Sequence, residues 1–344
     1  VVGSARRRKA APRRALLWVR FHDEAVACPA CASPRIVLLD VIPRVGDTHG
    51  RLVSFVTGCR DCGVLFANPL RSQTELDRYY GDRGHWAQVF EARVQRGAQR
   101  ARARDQQKNG RRLSGRDRIL LALEPYVPVS RPPAGAKVLD FGCGDGKFLD
   151  KLKLLGWETY GIEPAMSTAF PNHYRLDEPP QDASVDFVLL NHVLEHVPEP
   201  LALLRRLAGA MREGGTLFIS LPRLDTLPQH GQFKYCLDGR KHLAAYSETC
   251  LTGLLARAGF VHTARLDAAD LDEAMTKGQP LRLRLVATRT QAPPPLPLEP
   301  LAPAVRALRE YRRTPAGFLG PVERVWPVRL RAALMARARR RARA

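Results

Sequence analysis

The chain has no run approaching the roughly eighteen apolar residues that a membrane-crossing helix needs, which excludes an α-helical span. No secretory signal is expected from these residues. The apolar stretch Ala15–Val19 is five residues long and is cut off by Arg20. No internal repeat is visible, which sets aside repeat architectures. Acidic residues are missing from positions 1–20, where seven basic groups stand. This Arg-rich start also imitates an organelle transit peptide, and Val rather than Met at position 1 reads as an alternative start codon or a trimmed fragment.

What is present is unevenly placed. The 344 residues carry a formal net charge of +21, yet segments 1–20, 91–118 and 301–344 together hold +24, so the remainder is near neutral at −3. The basicity therefore belongs to tails and a linker, not to the body of the chain. Arg outnumbers Lys, as a GC-rich genome produces. Such segments can grip phosphate backbones, remain a solvated surface, or face a membrane, since Val328 to Ala342 alternates Arg with Leu, Met and Ala.

Four of the seven cysteines form a pattern. Cys28-Pro-Ala-Cys31 and Cys59-Arg-Asp-Cys62 are two C-x-x-C knuckles separated by a β-rich stretch. Two such turns can close a tetrahedral thiolate site around structural zinc; a disulfide pair or a redox motif is the competing reading. Cys143, Cys236 and Cys250 have no partner at ligand spacing. Reduced thiols without a signal point to the cytoplasm.

The most specific segment is Val138-Leu-Asp-Phe-Gly-Cys-Gly-Asp-Gly146. A short apolar strand meets Asp140, three alternating glycines follow, and Lys147-Phe148-Leu149 opens a helix. Glycines at this spacing let backbone turn sharply and approach a ligand, in the strand-to-helix setting of a nucleotide crevice. Lys147 stands where the nicotinamide fingerprint wants its third glycine. D-x-G-x-G-x-G is instead the first motif of class I S-adenosylmethionine-dependent methyltransferases, which this segment resembles position for position. Glu163, closing a second strand over Trp157–Ile162, resembles that family's ribose-binding acid; a carboxylate suits a vicinal diol because it offers two acceptors. The resemblance covers about 136–290, with Val185–Leu190 as fourth strand, a helix stop at Arg212–Gly215, and Thr216–Pro222 as fifth strand. It implies S-adenosyl-L-methionine as cofactor, held by Asp140, Gly142, Gly144, Gly146, Glu163 and Asn191.

The expected fold is α/β: a Rossmann-like, seven-stranded class I methyltransferase domain preceded by a small zinc ribbon. The expected divisions are a basic disordered tail over 1–20, the ribbon over 21–68, and a helical linker over 69–130. The catalytic domain follows over 131–290, then a Pro-rich linker over 291–303 and a basic helical tail over 304–344. Ribbon strands are expected at Arg35–Val41 and Leu52–Thr57, and linker helices over 87–109 and 116–126. Glu75 to Tyr80 and His242-Leu-Ala-Ala-Tyr246-Ser247 resemble segments of zinc-ribbon methyltransferases from bacterial gene clusters, some of which act on nucleotide-linked sugars.

Methyl transfer from a sulfonium needs proximity and alignment, and a carbon or hydroxyl acceptor also needs a base. Catalytic candidates are His192, His242 and Tyr246. Glu195 and His196 carry a structural or cofactor-adjacent reading equal to a catalytic one, and His242 an equal reading as a backbone-bonded histidine. His192-x-x-Glu195-His196 spells a zinc-protease pattern, but it straddles a strand end instead of lying on one helix. Ubiquinone-type O-methyltransferases carry a second Glu where His192 sits, there helping to bind a divalent metal; this departure argues against Mg²⁺ dependence. The leading function is methylation of a small-molecule or glycan-precursor acceptor at oxygen or carbon. The alternatives are an RNA methyltransferase gripping phosphate through ribbon and tails, and a non-catalytic zinc-dependent binding protein. Asn191-His-Val-Leu194 is not the N/D-P-P-Y/F motif of adenine-N6 chemistry.

Overall fold

A computed structural model describes residues 27–43, 53–71, 73–80, 114–163, 174–231, 233–239, 241–266, 282–292, 294–297 and 299–314. The tail over 1–20, the helix expected over 87–109 and the Arg-rich stretch 328–342 lie outside the described residues. The described elements begin with β1 (Ile36–Pro43), β2 (Val53–Cys59), β3 (Leu65–Asn68), α1 (Gln73–Tyr80) and α2 (Gly115–Leu123). Next come β4 (Lys137–Phe141), α3 (Lys147–Leu154), β5 (Glu158–Ile162), β6 (Tyr174–Arg175) and β7 (Val185–Asn191). A single 3-10 turn (Leu194–His196) leads to α4 (Pro200–Ala210), β8 (Met211–Pro222), α5 (Leu227–His230) and α6 (Phe233–Cys236). The last elements are β9 (Ala244–Ala245), α7 (Glu248–Arg257), β10 (Phe260–Arg265), β11 (Arg282–Arg289) and α8 (Ala302–Arg313).

The expected seven-stranded sheet is present, in the order β10-β11-β8-β7-β4-β5-β6. Its β6-to-β8 half is parallel, while β11 runs antiparallel between β8 and β10. Strands buried on both faces read as near-continuous apolar runs, and alternate residues feed two cores. Leu139, Val188, Leu190, Leu217 and Ile219 pack with Leu204 and Leu207 of α4 and Leu251 and Leu254 of α7. Val138, Phe187, Leu189 and Phe218 pack with Leu120 and Leu123 of α2 and Phe148, Leu149 and Leu152 of α3. Ser247 caps α7 by accepting from the Cys250 amide at 3.1 Å, and Gly259 beyond it takes φ +90°. The stop expected at Arg212–Gly215 comes earlier: α4 ends at Ala210, because Met211 already pairs with Val185.

The N-terminal strands are not a free-standing module. They form an antiparallel sheet β1-β2-β3-β9, whose last strand comes from the segment after β8. Cys28, Cys59, Cys62 and Phe66 share a core with α7, and Arg257 of that helix donates to the Asp61 carbonyl at 2.9 Å. The boundary expected at 303/304 falls inside a helix that belongs to this assembly. Leu301, Ala304 and Leu308 pack against Val56, Leu65 and Ala67, and Arg312 bonds the Asp40 carboxylate and the Leu39 carbonyl. Pro300 sits against Gly63, at φ +80°, leaving no room for a side chain there. No helix among the described residues is long and apolar enough to cross a membrane.

Candidate active site

The glycine loop lies where β4 ends, beside the end of β5. Gly142, Gly144 and Gly146 take φ of +75°, +55° and +68°, a region that carries a penalty for any side chain. The Gly142 amide donates to the Ile162 carbonyl at 2.7 Å, and the Gly144 amide donates to Glu163 Oε2 at 3.1 Å. The loop and the acid one strand over therefore form one hydrogen-bonded unit. A β-carbon on Gly142 would overlap Val193 Cγ2, so the loop is also braced from the turn after β7. Asp140 lies fully enclosed below the loop, and burial pushes its carboxyl up to about 7 despite the pull of Arg116.

Asn191 closes β7 opposite Ser220, and the chain then turns abruptly. His192 takes φ +58° while its amide donates to the Ser220 carbonyl at 2.7 Å. A non-glycine residue in this region stores strain of about 1–3 kcal/mol, a pattern that clusters at functional sites. His192 Nδ1 lies 3.0 Å from Oε1 of Glu195, which is buried to 1% exposure. Burial alone would raise the Glu195 carboxyl, but the His192 hydrogen bond and the neighbouring imidazoles hold it below its ordinary value.

His196 and His242 meet edge to face, their ring centroids 4.7 Å apart. His196 Nδ1 contacts both the Lys241 carbonyl and the Tyr80 hydroxyl at 2.8 Å, and His242 Nδ1 contacts the Tyr235 carbonyl at 2.6 Å. Burial lowers both histidines, His196 to about 4. Tyr246 is fully buried, and its hydroxyl donates to the Leu194 carbonyl at 3.1 Å. Of the three catalytic candidates, His192 is thus joined to Glu195, His242 to His196, and Tyr246 to the backbone between them. Tyr80 and Glu195 complete a cluster that sequence reasoning did not assemble. The available signal was the Tyr79-Tyr80 pair, two adjacent aromatics at the end of a short polar helix.

The four knuckle cysteines do come together, with their sulfur atoms within 4.8 Å of one another. The Cys28–Cys62 and Cys31–Cys59 separations are both 3.6 Å, far from the bonded S–S distance of about 2.05 Å. All four are free thiols. Hydrogen bonds with Cys28 and Cys62 shift the Cys59 thiol down, while the hydrogen bond with Cys59 pushes the Cys28 thiol up to about 12.

Residues 91–264 match the family described as a methyltransferase domain. The chain belongs to that family. Among curated relatives are ubiquinone biosynthesis O-methyltransferases of Xanthomonas. That of Xanthomonas axonopodis pv. citri (strain 306) is 33% identical, over 31% of this chain and 53% of its own length. That of Xanthomonas euvesicatoria pv. vesicatoria is 32% identical over the same shares. The chain spans about half the length of the curated relatives it matches. Among solved structures, the 1,6-didemethyltoxoflavin-N1-methyltransferase of Burkholderia thailandensis is 15% identical with a TM-score of 0.42, covering 73% of this chain and 100% of its own.

Proposed function

We propose that the protein transfers a methyl group from S-adenosylmethionine to an oxygen or carbon of a small-molecule or glycan-precursor acceptor. The observation that carries this reading is the bond from the Gly144 amide to Glu163, which fixes a left-handed glycine loop beside a carboxylate at the ends of two adjacent parallel strands. The residues present fit the cofactor. Three glycines keep the loop free of side chains, so its backbone can approach a ligand, and Glu163 brings a two-oxygen acceptor for a vicinal diol. When bound, the sulfonium supplies an activated methyl group. Gly142, Gly144, Gly146 and Glu163 bind the cofactor, with Asn191 at the neighbouring strand end.

His192 is the proposed base. A carboxylate can only accept, so Glu195 fixes the proton on Nδ1 and leaves Nε2 to receive one from an acceptor hydroxyl. Tyr246 acts as a positioning residue that holds Leu194, and through it the turn carrying Glu195 and His196. A small acceptor also accords with the Xanthomonas relatives, which are ubiquinone biosynthesis O-methyltransferases.

The knuckles are proposed to hold structural zinc. Zn–S bonds of about 2.3 Å place tetrahedral sulfurs about 3.8 Å apart, and the two 3.6 Å pairs sit close to that spacing.

The test is incubation of the full chain with methyl-labelled cofactor and three acceptor pools: phenols, nucleotide-linked sugars and total RNA. Label in a small-molecule pool, lost in Glu163→Ala, supports the reading. Label in RNA, or no binding of S-adenosylhomocysteine, refutes it.

A further inference from the structure

We propose that the methyl acceptor carries an anionic group, a carboxylate or a phosphate, received by Arg282 and Arg284 of β11 beside Ser220 of β8. The inference rests on the methyl-transfer reading and narrows its acceptor class. Sheet register places these side chains on one face. Asn191 of β7 pairs with Ser220, Ser220 pairs with Arg284, and Arg282 pairs with Pro222. Residues two apart along a strand share a face. Two residues back on the three strands, Leu189, Phe218 and Val286 lie in one core with α2 and α3. Asn191, Ser220 and Arg284 therefore continue that face past the apolar core, with Arg282 one step further on. The row stands at the ends of β7 and β8, where the chain turns into His192.

This row is polar but is not a solvated rim. Arg284 and Ser220 are each 1% exposed. The Ser220 hydroxyl has no hydrogen-bond partner among the described residues, and a buried hydroxyl left so is costly. Contacts on both sides tie the row to the acceptor end of the crevice. On one side the Arg282 side chain bonds that of Tyr235. The Tyr235 carbonyl contacts His242 at 2.6 Å, and His242 packs against His196. On the other side the amide of His192, the proposed base, donates to the Ser220 carbonyl at 2.7 Å. Ser220 thus lies between the base and the arginines. Adjacent strands are about 4.8 Å apart, so the backbones at Asn191 and Arg284 are about 10 Å apart, the span of one small molecule.

The chemistry of the row selects an anion. A guanidinium only donates and keeps its charge at every physiological pH. Its fork matches two oxygens of a carboxylate or phosphate with parallel, charge-assisted bonds. The Ser220 hydroxyl adds a further donor beside that fork. A neutral phenol brings one oxygen to these donors, whereas a carboxylate or phosphate brings acceptors for several. The arginines hold the acid end of the acceptor and leave its other end toward His192. The side chains that recognise the acceptor are then distinct from the one that takes its proton.

The experiment titrates the full chain, with and without S-adenosylhomocysteine, with inorganic phosphate and separately with benzoate, by calorimetry. At least one anion is expected to bind, and which one binds separates phosphate-bearing from carboxylate-bearing acceptors. Binding should weaken about tenfold or more in Arg282→Gln and in Arg284→Gln, and stay unchanged in Arg206→Gln, an exposed arginine of α4. Arg284→Lys replaces Arg284→Gln if the latter fails to fold. No binding of either anion to the parent protein, or equal binding in the Arg282 and Arg284 variants, would overturn the proposal. Arginines that serve only as internal ion pairs would give that second result together with a lower melting temperature. A second arm supplies methyl-labelled cofactor and a cell extract split by anion exchange into acidic and neutral pools. Label in the acidic pool supports the proposal, and label confined to the neutral pool overturns it while leaving methyl transfer intact. Absence of S-adenosylhomocysteine binding sinks the reading on which the inference rests; normal binding of it without anion binding sinks the inference alone.

Discussion

Gly142→Ala tests how the cofactor loop is held. Two costs are readable from the structure. At φ +75° an alanine adopts the left-handed region at about 1–2 kcal/mol. Its β-carbon also overlaps Val193 Cγ2, and overpacking of that kind costs about 1–3 kcal/mol. The single variant should therefore lose roughly 2–5 kcal/mol of stability. The two costs have different remedies. Val193→Ala removes the overlapping methyl but leaves the backbone strain in place. In a double-mutant cycle by urea unfolding, the pair should show a favourable coupling of roughly 1–3 kcal/mol, the overlap share alone. Calorimetry with S-adenosylhomocysteine should follow the same order, weakest in Gly142→Ala and partly restored in the pair. Strictly additive losses would show that Val193 does not brace the loop.

Glu163→Ala should weaken S-adenosylhomocysteine binding by about 1–3 kcal/mol in calorimetry, the scale of a charged hydrogen bond lost from a buried site. Burial raises the Asp140 carboxyl from 3.8 to about 7, so its contribution to stability is full below about pH 4 and is lost as pH climbs to 7. The ligand-free protein should lose up to about 4 kcal/mol from this group across that window; Asp140→Asn should flatten the slope of urea-unfolding stability between pH 4 and 8, and an unchanged slope contradicts the assignment. Cys59→Ser should release about one equivalent of zinc and lower the melting temperature, while the fraction still folded keeps its cofactor affinity. Ending the chain after residue 298 should cost about 3–6 kcal/mol more than ending it after residue 314, because the buried Leu301 and Leu308 are removed; equal melting curves for the two truncated chains would refute that.

The parts of the fold that were legible in the sequence are those fixed by local chemistry. Glycines at 142, 144 and 146 announce left-handed backbone wherever they fall, and the apolar runs at 138–139, 185–190 and 216–222 have no other place than a buried sheet. What could not be read depends on contacts between distant residues. Tyr80 meets His196 across 116 positions, and Arg312 meets Asp40 across 272. Nothing in the Pro-rich stretch before α8 signals that Pro300 seats against Gly63. The cysteine knuckles were legible as a set because C-x-x-C turns carry their own geometry. Their burial against α7 was not, since a small sheet with two apolar faces gives no sign of its neighbour.

The dependence of the N-terminal sheet on β9 and α8 has a consequence for the order of events during synthesis. The knuckles leave the ribosome well before their partners: the strand that completes their sheet lies at 244–245 and the helix that covers it at 302–313. At ordinary elongation rates of about 5–20 residues per second, the interval from the second knuckle to α8 is roughly 10–50 s. Through that interval the apolar faces of β2 and β3 and four thiols are exposed, a state prone to strand pairing with other chains and to oxidation. A segment made before β9 and α8 is thus among the last to be enclosed. Early occupation of the thiols by metal would protect them against disulfide formation before the rest of the molecule arrives.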